Sequence, residues 1–167
     1  YETPYFEWVI GIGMLVFGIN FNLIYLFLLG KFKQVWESEE LKWYILIVTG
    51  AVGLICMNLF STYDSFSVLI RDVFFTVSSI ITTTGFSTAD FGKWPLFSQT
   101  ILLLLMFVGA CAGSTAGGLK VSRVVVYAKI FVAEVKRMAN PSRIVTVLYD
   151  KKPLNKKSPH KGDKRPR

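Results

Sequence analysis

Three stretches of this sequence, residues 8–30, 43–60 and 94–119, contain no charged side chain. A helix rising about 1.5 Å per residue needs about 20 apolar residues, with a lower bound of about 17, to cross a hydrocarbon core of about 30 Å. All three runs meet that bound. Soluble domains carry charge at roughly one residue in four, whereas here charged residues make up 18% and apolar ones 52%. The chain therefore reads as a helical membrane protein. Its two cysteines, Cys56 and Cys111, both lie in apolar runs and give no disulfide scaffold or zinc cluster. The single histidine, His160, excludes a multi-histidine metal centre. The first run is too long for a signal-peptide core and ends without a small-residue cleavage pattern. A chain opening on Tyr1 reads as a piece of a longer one.

The net charge of +8 is placed at one end. Eleven of the nineteen Lys and Arg lie between Lys136 and Arg167, against two acids, while the first 135 residues are close to neutral. On a membrane chain a basic end is a cytoplasmic anchor under the positive-inside rule. No aromatic platform is interleaved with these charges, so nucleic acid is not an expected partner. Lys31, Lys33 and Lys42 mark residues 31–42 as a second basic connector, whereas residues 61–97 hold only Arg71 and Lys93. The expected order is a span over residues 1–30, a cytoplasmic loop over 31–42 and a span over 43–60. A re-entrant helix, a broken span over 95–137 and a basic cytoplasmic tail over 138–167 complete it.

Residues 66–82 are apolar enough for a helix but too short, and too charged at Arg71 and Asp72, for a full span. The segment 83–88 (TTGFST) then stops them, so they read as a re-entrant half-helix with Asp72 near its positive dipole end. A half-helix, an extended Thr-Thr-Gly-Phe-Ser string and a second span form the layout of a cation pore repeat. There, successive carbonyls replace an ion's hydration shell. Thr83 and Thr84 tolerate extended backbone, and Gly85 permits unusual dihedrals. An ordinary Thr/Gly-rich turn is the bland alternative for the string alone.

Residues 109–118 (GACAGSTAGG) must break a helix at membrane depth, where irregular backbone survives only when enclosed by protein or lining a cavity. As a phosphate loop the run fails, because Leu119 stands where lysine is needed and Val121 where Ser/Thr is needed. A nucleophilic Ser114–Lys120 pair would lack any visible oxyanion donor. Close packing of small residues and a pore-obstructing flexible loop remain equally matched. Beyond it, Lys120, Arg123, Tyr127, Glu134 and Arg137 fall on one helical face, a candidate contact for lipid phosphates.

The strings at residues 81–91 (ITTTGFSTADF) and 113–123 (GSTAGGLKVSR), with weaker matches at 18–21 (GINF) and 40–44 (ELKWY), resemble the Trk/Ktr/HKT superfamily of potassium-transporting membrane subunits, most closely the bacterial Trk type. The resemblance implies an all-α membrane protein built on a span–pore helix–span (M1-P-M2) repeat like that of potassium channels, with the second span broken. Residues 1–30 would end the second of four repeats and residues 43–137 would form the third. It further implies potassium as transported ion, held by Thr83, Thr84, Gly85, Phe86 and Ser87, with no organic cofactor and no enzyme activity. Gly109, Gly113, Ser114, Thr115, Ala116, Gly117 and Gly118 would form a gating loop. Lys120, Arg123 and Arg137 would face a cytoplasmic nucleotide-binding regulatory subunit. The other repeats of the same polypeptide, a homodimer and the inner cell membrane complete the implied setting. A two-span channel subunit and a Ser114/Lys120 membrane enzyme are the alternatives.

Overall fold

The computed structural model describes residues 4–139, 148–149 and 152–153. The chain divides into two compact units, Tyr1–Tyr127 and Ala128–Arg167. In the first, helix α1 (Pro4–Phe17) starts on a proline, whose missing N–H is no loss at a helix start. It is followed by α2 (Phe21–Leu28), α3 (Phe32–Glu37) and α4 (Glu39–Leu59). Next come α5 (Phe66–Ile81), a 3₁₀ turn (Phe91–Lys93) and α6 (Leu96–Val108). Helix α7 (Val121–Ala139) runs from the first unit into the second. In the second, β1 (Leu148–Tyr149) pairs antiparallel with β2 (Lys152–Pro153). The remainder of the expected basic tail lies outside the described residues.

Helix α5 is the centre of the first unit, packed against α1, α4 and α6. On α4, Tyr44, Val48, Ala51, Ile55 and Leu59 recur every three or four residues and are all buried, which is one stripe of a helix. On α5, Leu69, Val73, Val77 and Ile81 make a matching stripe, and Ile55, Leu59, Val73, Val77 and Ile81 have no exposed surface. Between apolar helices in lipid the driving force is close packing rather than water release. Gly11 of α1 supplies it, since a Cβ there would stand 2.8 Å from the Phe74 ring of α5. Polar joints add registry: Ser98 of α6 donates to Asn58 Oδ1 of α4 at 2.9 Å, and Tyr44 donates to the Leu15 carbonyl at 3.2 Å. The opposite helix faces are strongly apolar, with Leu28, Met57 and Leu96 more than three-quarters exposed. Such surface suits lipid or further protein, not water.

Four expectations gain detail. Residues 1–30 are not one continuous helix: α1 and α2 are bent by 101° about residues 18–20. Asn20 caps α2, its Oδ1 accepting from Asn22 N–H at 2.9 Å, a start signal that apolar periodicity hides. The connector 31–42 contains α3 and the first turn of α4, begun by Ser38 and by Glu39 and Glu40, which complement the helix dipole. Asp72 lies in the second turn of α5, and the first turn holds no acid. Asp72 and Glu7 flank Arg71, with Glu7 Oε2 at 2.5 Å from Arg71 Nε and Asp72 Oδ1 at 3.6 Å. Finally, Lys120 stands outside α7, with φ +75°, so it leaves the basic face on which Arg123 remains. The Arg137 side chain lies outside the described residues. Among the described helices α4 alone is long and apolar enough to cross a membrane, and α1 with α2 qualifies only as a bent pair.

Candidate functional site

The end of α5 is a Schellman turn. Thr83 N–H donates to Ile80 O at 3.1 Å and Thr84 N–H to Ser79 O at 3.0 Å, the two bonds that close a helix through a left-handed residue. That residue is Thr83, at φ +55°, where glycine is the usual choice. Thr83 is therefore left-handed rather than extended as its β-branching suggests. Its side chain has a reason to be there, because Thr83 Oγ1 accepts from Gly117 N–H at 2.7 Å. Thr82 Oγ1 meanwhile bonds Ser78 O at 2.6 Å and Thr84 Oγ1 at 2.8 Å, bracing the turn from the helix side. Gly85 follows at φ +81°, a conformation that side chains rarely take. Among the described residues, no N–H or O–H donates to the carbonyls of residues 83–87. These residues directly follow the C-terminal, negative dipole end of α5.

Helix α6 stops at Val108, and the chain makes a closed excursion before α7 begins at Val121. The excursion has a tight neck. Leu119 N–H donates to Phe107 O at 3.1 Å and Val121 N–H to Ala110 O at 3.0 Å. Gly109 and Gly118 meet there backbone to backbone; a Cβ on Gly118 would stand 2.9 Å from Gly109 Cα. Both have positive φ, +69° and +81°, so two glycines make the neck possible. Inside the loop Ser114 Oγ donates to Cys111 O at 2.6 Å, and the Lys120 ammonium donates to Ala116 O. Both groups of the supposed catalytic pair are thus engaged in holding the loop's own backbone.

The loop is also pinned from outside at three places. At the α1–α2 break, Cys111 N–H donates to Gly18 O at 3.1 Å and Phe21 N–H to Gly113 O at 3.0 Å. Thr115 Oγ1 donates to Phe17 O at 3.3 Å. The two broken helices thereby satisfy each other's freed backbone groups, which an apolar setting requires. At the start of α4, Ala112 N–H donates to Glu40 Oε1 at 2.6 Å. At the end of α5 stands the Thr83–Gly117 bond. The structure thus brings together Thr83, Gly117 and the loop, while Phe86 and Ser87 stand apart, Phe86 exposed and Ser87 Oγ donating to Ala89 O at 2.9 Å. Gly18, Asn20 and Glu40 are the participants that sequence reading left out of the site. Asn20 as a helix-cap residue inside an apolar run was the available signal. Glu40 stands in the weakly matching string 40–44, but nothing there pointed to a contact with the loop.

The chain matches the family model described as cation transport protein over residues 1–161. It is 34% identical over 150 residues to the Trk system potassium uptake protein TrkH of Salmonella typhimurium, covering 88% of this chain and 31% of that protein. It is 31% identical over 144 residues to the Trk system potassium uptake protein TrkG of Escherichia coli, covering 84% and 30%. Among solved structures, the potassium transporter TrkH from Vibrio parahaemolyticus superimposes with a TM-score of 0.81 at 29% identity, over 89% of this chain and 33% of that one. The chain therefore spans about a third of the length of the relatives it matches.

Proposed function

Because the chain belongs to the TrkH family of cation transport proteins, we propose that it forms one pore repeat of a potassium-uptake pathway, gated by its glycine-rich loop. The observation that carries this reading is the segment 83–87, whose carbonyls have no donor among the described residues, set at the negative end of α5 with the loop bonded directly to Thr83. Carbonyls in that position replace the hydration shell of a monovalent cation. The half-helix dipole adds to the attraction without placing a fixed negative charge that would hold the ion too tightly. Residues 109–118 then obstruct the path beside the carbonyl row, and their release opens it.

One repeat cannot surround an ion. The remaining carbonyls come from the rest of a polypeptide about three times as long, as the 31% coverage of the TrkH relative supports. That coverage disfavours the alternative of a two-span subunit assembling symmetrically. The family is one of transport proteins, which sets the Ser114/Lys120 enzyme aside. In this reading the protein is a multi-pass protein of the cytoplasmic membrane that works as a homodimer. Residues 31–42 and the basic C-terminal region face the cytoplasm. Arg123 and Arg137 there meet lipid phosphates or a nucleotide-binding regulatory subunit.

The test is rubidium uptake by the complete transporter with and without residues 113–118. The deletion should raise the rate and remove its dependence on the regulator, with the preference for rubidium over sodium little changed. A folded, inserted deletion variant whose flux stays at or below that of the parent would overturn the gate and favour simple helix packing.

A further inference from the structure

Glu40 is buried, with 6% of its surface exposed, although glutamate is almost never buried without a partner. Its position in the first turn of α4 suggests a helix-dipole acid, a role that solvent-exposed carboxylates fill equally well. The geometry is different: Oε1 accepts at 2.6 Å from the amide of Ala112, 72 residues further along the chain. Ala112 follows Cys111, whose side chain has no exposed surface and whose own amide is tied to Gly18 O. Of the three outside anchors, the α1–α2 break contributes mainly backbone groups, and Thr83 belongs to the carbonyl row itself. Among the described residues, Glu40 alone holds the loop by a charged side chain from a neighbouring helix, and a charge-assisted bond is the stronger kind.

We propose that Glu40 is a positioning residue, the latch that keeps the glycine-rich loop in its obstructing place. Losing the carboxylate leaves the Ala112 amide unpaired and lets the loop swing from α4 while the carbonyl row at residues 83–87 is untouched. The inference rests on the gate reading above, and its test separates the two.

The experiment uses the complete transporter with Cys111 as its only cysteine, so that a small water-soluble methanethiosulfonate reagent reports on loop release. Cys111 should react slowly in this background. Glu40→Ala should speed labelling about tenfold or more and raise regulator-free rubidium uptake to a similar degree. Glu40→Gln, which keeps an acceptor oxygen but loses the charge, and Glu40→Asp, one methylene short, should both fall between the parent and Glu40→Ala. Glu39→Ala, the neighbouring first-turn acid, controls for a dipole effect and should leave labelling unchanged. If Glu40→Ala does not reach the membrane, the Asp and Gln variants carry the same comparison. Unchanged labelling in the inserted Ala or Asp variant, or an equal effect from Glu39→Ala, overturns the latch. Faster labelling with unchanged flux sustains the latch and overturns the gate.

Discussion

The neck of the loop offers the most direct perturbation, Gly118→Ala. The added methyl would lie 2.9 Å from Gly109 Cα, 3.1 Å from Gly109 N and 3.3 Å from Phe107 O, all backbone atoms with no flexible end to yield. Gly118 sits at φ +81°, and an L-residue in left-handed backbone costs about 1–2 kcal/mol. Forcing packed neighbours apart adds about 1–3 kcal/mol, so the closed loop loses about 2–5 kcal/mol in all. A closing bias of a few kcal/mol is the usual scale for a two-state element, and each 1.4 kcal/mol or so is a factor of ten in population. Regulator-free rubidium uptake by the complete transporter should therefore rise at least about tenfold. The potassium-to-sodium ratio should hold, because the atoms the new methyl meets first belong to Gly109 and Phe107, not to residues 83–87. Gly50→Ala in α4 is the control: nothing lies within 4 Å of its new Cβ, and alanine favours the helix. A folded, inserted Gly118→Ala protein with parental flux would refute the idea that glycine contact holds the neck shut. A fall in flux would assign the loop to packing.

In Gly85→Ser the new Cβ meets no atom within 4 Å but the substitution takes a side chain to φ +81°, at about 1–3 kcal/mol of strain. Uptake competition should show a lower potassium preference over sodium. Thr83→Val keeps the shape and loses the acceptor for Gly117 N–H, which weakens loop closure by about 1 kcal/mol. Regulator-free flux should rise about fivefold, and Thr83→Ser should restore the parental rate. Gly11→Ala presses on the Phe74 ring at 2.8 Å and should lower thermal stability by about 1–3 kcal/mol in detergent unfolding, with little effect on selectivity. The 167-residue chain alone in liposomes should pass no potassium-selective current, since a carbonyl cage needs several repeats around one axis.

What could be read from the sequence is what depends on neighbours along the chain. Uncharged runs long enough for lipid identify a membrane protein. Thr-Thr-Gly after an apolar helix stops that helix within a residue of where α5 ends, and a run of small residues after Val108 breaks the next one. These are matters of local propensity and transfer free energy, which a short window contains. The destination of each freed backbone group is not in such a window. Ala112 finds Glu40 across 72 residues, Gly117 finds Thr83 across 34, and Thr115 finds Phe17 across 98. The bond from Gly117 gives Thr83 a partner in a left-handed turn usually given to glycine. The apolar run 8–30 bends at Gly18 and Asn20, where the broken loop supplies partners. A buried N–H or carbonyl must be paired, and only the folded chain, by bringing the two breaks together, settles which partner it has.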